Sequence, residues 1–406
     1  MTDYGLKGES IICFAGEDWW YHHPHSKNHI LTRLAHDNNV LFVNSLSLGL
    51  PSVSHPDFFL KIRRKLKSYA RWLKRVPEGL HVMTPVVLPF FGNRSARAIN
   101  RFILIAQIRL AMLLIGIRMP VVWVAMPSAV DAAERLNGKA LLYQVSDKFE
   151  AMEDTALAPD VIRSLHERLK RAASVVMYSG RKLFDEADAA NRYFLEQAVD
   201  FDHFATPAAS SAADITDIPG PILGYLGWID YVMDVPLIEE VARRRPNWHW
   251  ALIGHQSNSV KITAANVHFL GSKAYKDLPR YVRKIDVFVL PWRLDSEFVR
   301  YGSAIKVREY LATGKPVVIA PLYEYQQTPG LRFYASADEF ISAVEDALLC
   351  DTPEDQQLRQ SVVRSCTWDV RAHEVGSLIA SILAGRGIPK QRHLENASVL
   401  TTSNVT

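Results

Sequence analysis

The stretch SAIKVREYLATGKPVV, residues 303–318, holds one complete helix-to-strand unit. It reads as a helix ended by Gly314, then a strand primed by Pro316. A helix feeding a short apolar strand is the repeat of a parallel sheet covered on both faces. Working outward, the same alternation governs the second half, where Ile222–Leu226, 248–253, Val287–Leu290 and Val317–Ile319 are strand candidates. Ahead of them, residues 205–220 (ATPAASSAADITDIPG) lack an apolar period and read as a linker. The alternation also runs through the first half. Ser10–Phe14 ends at Ala15-Gly16, Ile30, Leu31, Leu34 and Ala35 line one helical face, and 40–43, 121–124, 141–143 and 174–177 are further strands. The expectation is an α/β chain of two doubly wound, Rossmann-like domains, 1–204 and 221–366, facing a central cleft. No short tandem repeat is found, and the polar residues 389–406 are expected to form a disordered tail.

A chain of 406 residues accommodates two domains, and 48% hydrophobic with 22% charged residues is globular composition rather than disorder. The formal charge of +4 identifies no partner. Cys13, Cys350 and Cys366 stand far apart and form no CxxC pair, so a reducing compartment is expected and a disulfide framework is not. The opening MTDYGLKGES has no basic region followed by an apolar one, so no secretory signal is expected. The apolar stretch 102–117 is interrupted by Gln107 and Arg109 and reads as too short and too charged to span a membrane.

Open α/β sheets bind ligands at the carboxyl ends of their strands, so chemistry is sought just after each strand. GYLGWID (224–230) follows the first strand of the second half. Glycine there lets backbone approach a diphosphate, although such a turn is as often structural. Lys306 and Glu309 share a helix face, either as a surface ion pair or as a cation for a diphosphate and a carboxylate for ribose hydroxyls.

From Gly224 to Val318 the order GYLGWID, NVHFLGSKAYKDLPRYVRKIDVFVLPW, IKVREYLATGKPVV resembles the nucleotide-binding half of GT-B glycosyltransferases. The resemblance implies donor contacts from Gly227, Trp228 and Ile229 to the phosphates and from Ser272 to the base. It also implies Trp292 beside the nucleotide, Ser303, Ile305 and Lys306 at the diphosphate, and Glu309 at the ribose. Many retaining members carry a glutamate eight residues before the ribose-binding one, where this chain has Tyr301. That departure favours inversion.

In the first half, LLYQVSDKF places Asp147 just past a strand, as a general base or as a helix cap. The segment resembles the base-bearing loop of xanthan-type glucuronosyltransferases, which implies Asp147 as catalyst. GEDWWYHHPHSKN (16–28) resembles the acceptor-facing first loop of polysaccharide glycosyltransferases, which implies acceptor contacts from Glu17, Asp18, Trp19 and His25. Glu17 and Asp18 are alternative bases. His22, His23, His25 and His29 fit no standard ligand spacing, so no metal is expected. Asp200-Phe201-Asp202 looks like a hinge segment rather than a metal-binding pair. By the same resemblance, the final helix, about 368–385, packs back on the first domain.

From Lys61 to Arg75 eight residues in fifteen are Lys or Arg, with Ile62, Leu66, Tyr69 and Leu73 on one helical face. The reading is either a solvated helix or a helix lying on an anionic membrane. The RNA-module motifs are absent, so nucleic acid is not an expected partner. Taken together, the expectation is an inverting, metal-independent transfer of sugar from a UDP-sugar, with glucuronic acid the first candidate. The acceptor would be a lipid-linked oligosaccharide or surface polysaccharide at the inner face of the plasma membrane. The rivals are a nucleotide-sugar epimerase of the same fold and a non-catalytic membrane scaffold.

Overall fold

The computed structural model describes residues 2–20, 23–45, 67, 69–86, 94–152 and 158–391. Two sheets organise them. The first joins β1 (Ser10–Phe14), β2 (Asn39–Val43), β3 (Leu73–Arg75), β4 (His81–Met83), β5 (Val121–Val124), β6 (Ala140–Val145), β7 (Val175–Tyr178) and β8 (Arg192–Phe194). Their spatial order is β3-β4-β2-β1-β5-β6-β7-β8, parallel throughout except for β3 against β4. The second holds β9 (Ile222–Leu226), β10 (His249–Ile253), β11 (Val267–Phe269), β12 (Val287–Leu290), β13 (Val317–Ile319) and β14 (Leu331–Phe333), all parallel. Its order, β11-β10-β9-β12-β13-β14, is the 3-2-1-4-5-6 arrangement of dinucleotide-binding sheets. Both sheets therefore reverse direction of growth beside their first strand, and a crevice opens there between β1 and β5 and between β9 and β12.

The central strands are buried along almost their whole length, which is why they read as unbroken apolar runs. The strands that sequence pattern misses, β3, β4, β8 and β14, are three residues each. Leu73–Arg75 corrects the expected basic helix: that end of the stretch is an edge strand, while 61–66 and 68 lie outside the described residues. Residues 205–220 are also less bare than expected. Ala212, Ile215 and Ile218 are buried in the second core, and Ala213–Thr216 is helical. Of the expected tail, 392–406 lie outside the described residues, but Gln391 grips the edge of β8, accepting from the Phe194 N–H at 2.9 Å and donating to its carbonyl at 2.6 Å.

The chain passes between the two halves twice, side by side. The Val199 N–H donates to the Cys366 carbonyl at 2.9 Å, and Val199 bridges Thr367. Thr367 caps the helix Trp368–Leu383, whose Trp368, Ala372, Val375, Leu378 and Ile379 are buried with Ile30, Leu31 and Leu34 of the helix Ser26–Leu34. The last helix thus completes the core of the first half.

Candidate functional site

The turn after β9 is built on two glycines. Gly227 has φ of 143° and Gly254, after β10, has φ of 157°. A Cβ on Gly254 would stand 1.7 Å from the Gly227 carbonyl oxygen, and one on Gly227 would stand 2.6 Å from Lys306 Nζ. Only glycine allows the two turns and the lysine to occupy this space. Tyr310 pins the helix Ile305–Thr313 to the end of β9: its hydroxyl accepts from the Leu226 N–H at 2.8 Å, and its ring stacks on Phe288 of β12. One turn earlier, Lys306 reaches over Gly227, donates to Tyr225 Oη at 3.0 Å and lies over the Trp292 ring at 4.7 Å. No carboxylate among the described residues forms a salt bridge with it. The N-cap residue of the helix, Ala304, offers no side-chain cap, and no acidic residue lies in its first turn.

Glu309 lies half-buried on the same helix face, and its carboxylate forms no salt bridge or side-chain hydrogen bond among the described residues. Burial pushes its carboxyl up to about 7; the Lys306 charge opposes the rise and Asp200 adds to it. Ser303 stands just ahead of the helix with its hydroxyl buried beside Tyr325. Trp228 is half exposed and meets His255 edge-on, and Ser272 is exposed beyond β11. Ile305 packs toward the first core. Ile229 departs from expectation. Its side chain is wholly buried and its N–H is spent on the His255 carbonyl at 2.9 Å, so it has nothing left to offer a phosphate.

Across the cleft, Asp147 sits half-buried beyond β6. Burial raises its carboxyl above the ordinary range, and the charge of Lys27 holds the rise in check. Lys27, buried in the first turn of the helix Ser26–Leu34, also pairs with Glu17 at 3.3 Å. Burial likewise pushes the Glu17 carboxyl up, with Lys27 opposing and Asp147 contributing. Gln144 sets this arrangement, donating to Ser26 Oγ at 3.2 Å and Ser179 Oγ at 3.1 Å and accepting from Trp123 at 3.2 Å. It ties the ends of three strands to the helix start next to Lys27. Sequence reasoning missed Lys27; the available signal was a lysine one residue into a helix that follows a strand.

The other residues of the first loop hold local structure. Asp18 accepts from the Trp20 N–H at 2.9 Å, Trp19 lies edge-on to Phe42 with its N–H on Asn44, and His25 is the N-cap residue of its helix, reciprocated by Asn28. His29 stacks on Trp368 at 4.7 Å, and burial lowers it to about 3, keeping it neutral. Among the described residues no group of three or more metal-ligating side chains forms; Tyr21 and His22 lie outside them. Tyr301, which stands where many retaining enzymes have glutamate, is engaged with the first domain. It donates to Glu186 at 2.6 Å, and Lys148 lies 4.0 Å over its ring while pairing with Glu297 at 2.6 Å.

Residues 225–349 match the family model described as Glycosyl transferases group 1, a span that includes the glycine turns, Trp292, Lys306 and Glu309. The chain is 27% identical over 228 residues to TuaH of Bacillus subtilis (strain 168), a protein named for a glycosyltransferase role in teichuronic acid biosynthesis. That alignment spans 52% of this chain and 57% of the relative, little more than half of each. By structure the chain is similar to sucrose-phosphate synthase of Thermosynechococcus elongatus, with a TM-score of 0.67 and 13% identity over 93% of this chain and 100% of that one. It is also similar to Anabaena Alr3699/HepE solved with UDP and glucose, with a TM-score of 0.61 and 13% identity over 93% and 99%. A third likeness is to trehalose 6-phosphate synthase of Burkholderia multivorans, with a TM-score of 0.60 and 13% identity over 94% and 100%. At these identities the likeness is one of fold, and the fold is GT-B: two Rossmann-like domains with parallel sheets. The epimerase reading gains no support from these matches.

Proposed function

We propose that this chain is a glycosyltransferase that moves a sugar from a nucleoside diphosphate sugar to a hydroxyl of a lipid-linked oligosaccharide or surface polysaccharide. The observation that carries the reading is the crevice between β9 and β12. There the glycine turns, Lys306 without a salt bridge among the described residues, the helix start without a side-chain cap and Glu309 converge at the carboxyl ends of the strands. In this scheme Lys306 and the helix N-terminus neutralise the diphosphate, so no divalent cation is needed. Glu309 accepts the ribose hydroxyls. Asp147 takes the proton of the acceptor hydroxyl as its oxygen attacks the anomeric carbon and the nucleoside diphosphate leaves from the opposite side, which inverts the centre.

A carboxyl held above its ordinary range is a stronger base once ionised, and the charge of Lys27 limits the rise. Tyr301 supports inversion, since it replaces a glutamate with a residue tied to the other domain. Uridine as the base and glucuronic acid as the sugar are the first candidates from the sequence resemblance, and the inner face of the plasma membrane is the proposed site of action, consistent with a lipid-borne acceptor.

Asp147→Asn tests the chemistry. The amide keeps size and most hydrogen bonds but takes no proton at neutral pH. Transfer from a UDP-sugar should fall about 10²–10⁴-fold, with donor affinity nearly unchanged on the same preparation. Near-normal turnover would move the base to Glu17, which shares Lys27. Wild-type protein with neither transfer nor donor hydrolysis above background would make the chain a scaffold that kept only the fold.

A further inference from the structure

Besides the crossover, the two halves touch right beside Asp147. Lys148 follows it directly in the chain. The Lys148 ammonium pairs with Glu297 of the second half at 2.6 Å and lies 4.0 Å over the ring of Tyr301. That hydrogen bond holds the Glu297 carboxyl below the usual carboxylate range, so the pair is ionised at neutral pH. Lys182, from the helix Arg181–Asp185 after β7, lies 4.6 Å over the same tyrosine ring. The Tyr301 hydroxyl donates to Glu186 at 2.6 Å, and that of Tyr323 donates to Asp185 at 3.0 Å. The backbones meet there as well: a Cβ on Gly180 would stand 3.0 Å from the Tyr301 carbonyl oxygen.

The neighbours on each side show what these contacts hold. In the first half Asp147 is fixed within its own domain. Val145, two residues before it, and Phe149, two residues after it, are buried in one core. In the second half Glu297 opens the turn Glu297–Arg300, and Tyr301 ends it. Only Gly302 and Ser303 then precede Ala304, the N-cap residue of the helix that carries Lys306 and Glu309. A short route thus joins Asp147 to the donor helix through Lys148, Glu297 and Tyr301.

The geometry points to Lys148 and Glu297 as positioning residues for the transfer: their pairing across the cleft sets how near the Asp147 carboxylate stands to a sugar held on the second half. The role rests on the glycosyltransferase reading above. Neither residue acts on the reacting atoms. A general base works only within hydrogen-bond reach of its proton, so a displacement of about 1 Å costs about 100-fold in rate. The donor, held by the second half in this scheme, binds as before. The same arrangement gives Tyr301 a purpose at the position where many retaining enzymes have glutamate. Its ring receives two ammonium groups while its hydroxyl stays on Glu186. As a stabilising contact the ion pair is worth little, because the Glu297 side chain is 51% exposed.

The test compares wild type with Lys148→Met, Glu297→Gln, the double variant and Lys148→Arg. The readout is UDP released from UDP-glucuronic acid or UDP-glucose, with water in place of the acceptor hydroxyl. The water oxygen bonds to the anomeric carbon as the bond to the diphosphate breaks, and Asp147 takes the water proton. Donor affinity is measured by calorimetry on the same preparations. Each single neutral variant should lower kcat about 10–100-fold, with donor affinity and melting temperature unchanged. The double variant should lose no more than either single one, since the pair acts as a unit. Lys148→Arg keeps the charge and the ring contact and should stay within about threefold of wild type. Losses that add in the double variant, or that come with weakened donor binding, overturn the role. Unchanged kcat in the variants of an active wild type overturns it alone. A wild type that releases UDP from neither donor overturns the transferase reading, and this role falls with it. Should Lys148→Met fold poorly, Glu297→Gln at the more exposed partner carries the comparison.

Discussion

Glu309 shows how one residue's surroundings set its behaviour. Its carboxyl ionises near 7 because the crowded helix face withholds water, and Lys306 only partly compensates. The sign of the consequence follows from the raised value. Between the ordinary carboxylate range and about 7 the folded chain holds a proton that the unfolded chain has released, so this group's contribution to stability is full at low pH and is lost as pH rises through 7. Donor binding runs the other way, since ribose hydroxyls donate best to the ionised carboxylate. Affinity for a nucleoside diphosphate sugar, whose phosphates do not titrate in this range, should tighten about tenfold between about pH 6 and about pH 8. Glu309→Gln should bind more weakly at the upper end and show no such slope. Calorimetric titration at several pH values decides it, and a slope that survives in Glu309→Gln would assign the titration elsewhere.

Among the elements, the two turns after β9 and β10 depend on each other more than on their neighbours. Gly254 lies against the Gly227 carbonyl, whereas Gly271, after β11, has nothing within 4 Å of where a Cβ would stand. Both have positive φ, so alanine at either costs about 1–2 kcal/mol of backbone strain. Gly254→Ala adds a backbone clash and should cost about 3 kcal/mol or more while also displacing Gly227 and abolishing donor affinity. Gly271→Ala should show the strain alone. Thermal melts with nucleotide titration check the pair, and equal effects at both positions would mean that the turns move independently. The helix Ile305–Thr313 is likewise held from both sides. Lys306 and Glu309 face the crevice, while Arg308 is buried on Glu196 at 3.0 Å, and Glu196 in turn meets Arg371 of the last helix at 2.5 Å. One carboxylate thus joins the donor-binding helix to the crossover between the halves.

At the scale of the whole molecule, the first half is not complete until the chain returns to it. Trp368, Val375, Leu378 and Ile379 are all but fully buried there, and each such side chain contributes about 1.5–3 kcal/mol. Their sum rivals the roughly 5–15 kcal/mol that holds a domain together. Truncation after Cys366 should therefore unfold the first half and leave the second, whose core is built from 199–363, folded. Calorimetry should show the surviving transition alone, with proteolysis confined to the residues before Val199. Two intact transitions would mean that the helix merely lies on a core able to stand without it.

Sequence by itself determined the central strands and the order of the halves, because a strand buried on both faces is apolar at nearly every position. β1, β5, β6, β9 and β12 therefore announce themselves. It also placed Lys306 and Glu309 on one helix face and ended that helix at Gly314, which has φ of 75°. The strands β3, β4, β8 and β14 were not legible, since three residues at or next to the edge of a sheet need no such run. Three matters were decided only by the tertiary structure. Ile229 turns inward, its side chain buried and its N–H claimed by the His255 carbonyl in the turn after β10. Lys27 comes to stand beside Glu17 and within the electrostatic reach of Asp147 because Gln144 gathers separate strand ends onto one helix start. The helix Arg94–Ile115 exposes an apolar side because hydrophobic periodicity records how many sides are apolar and not which of them the sheet will cover.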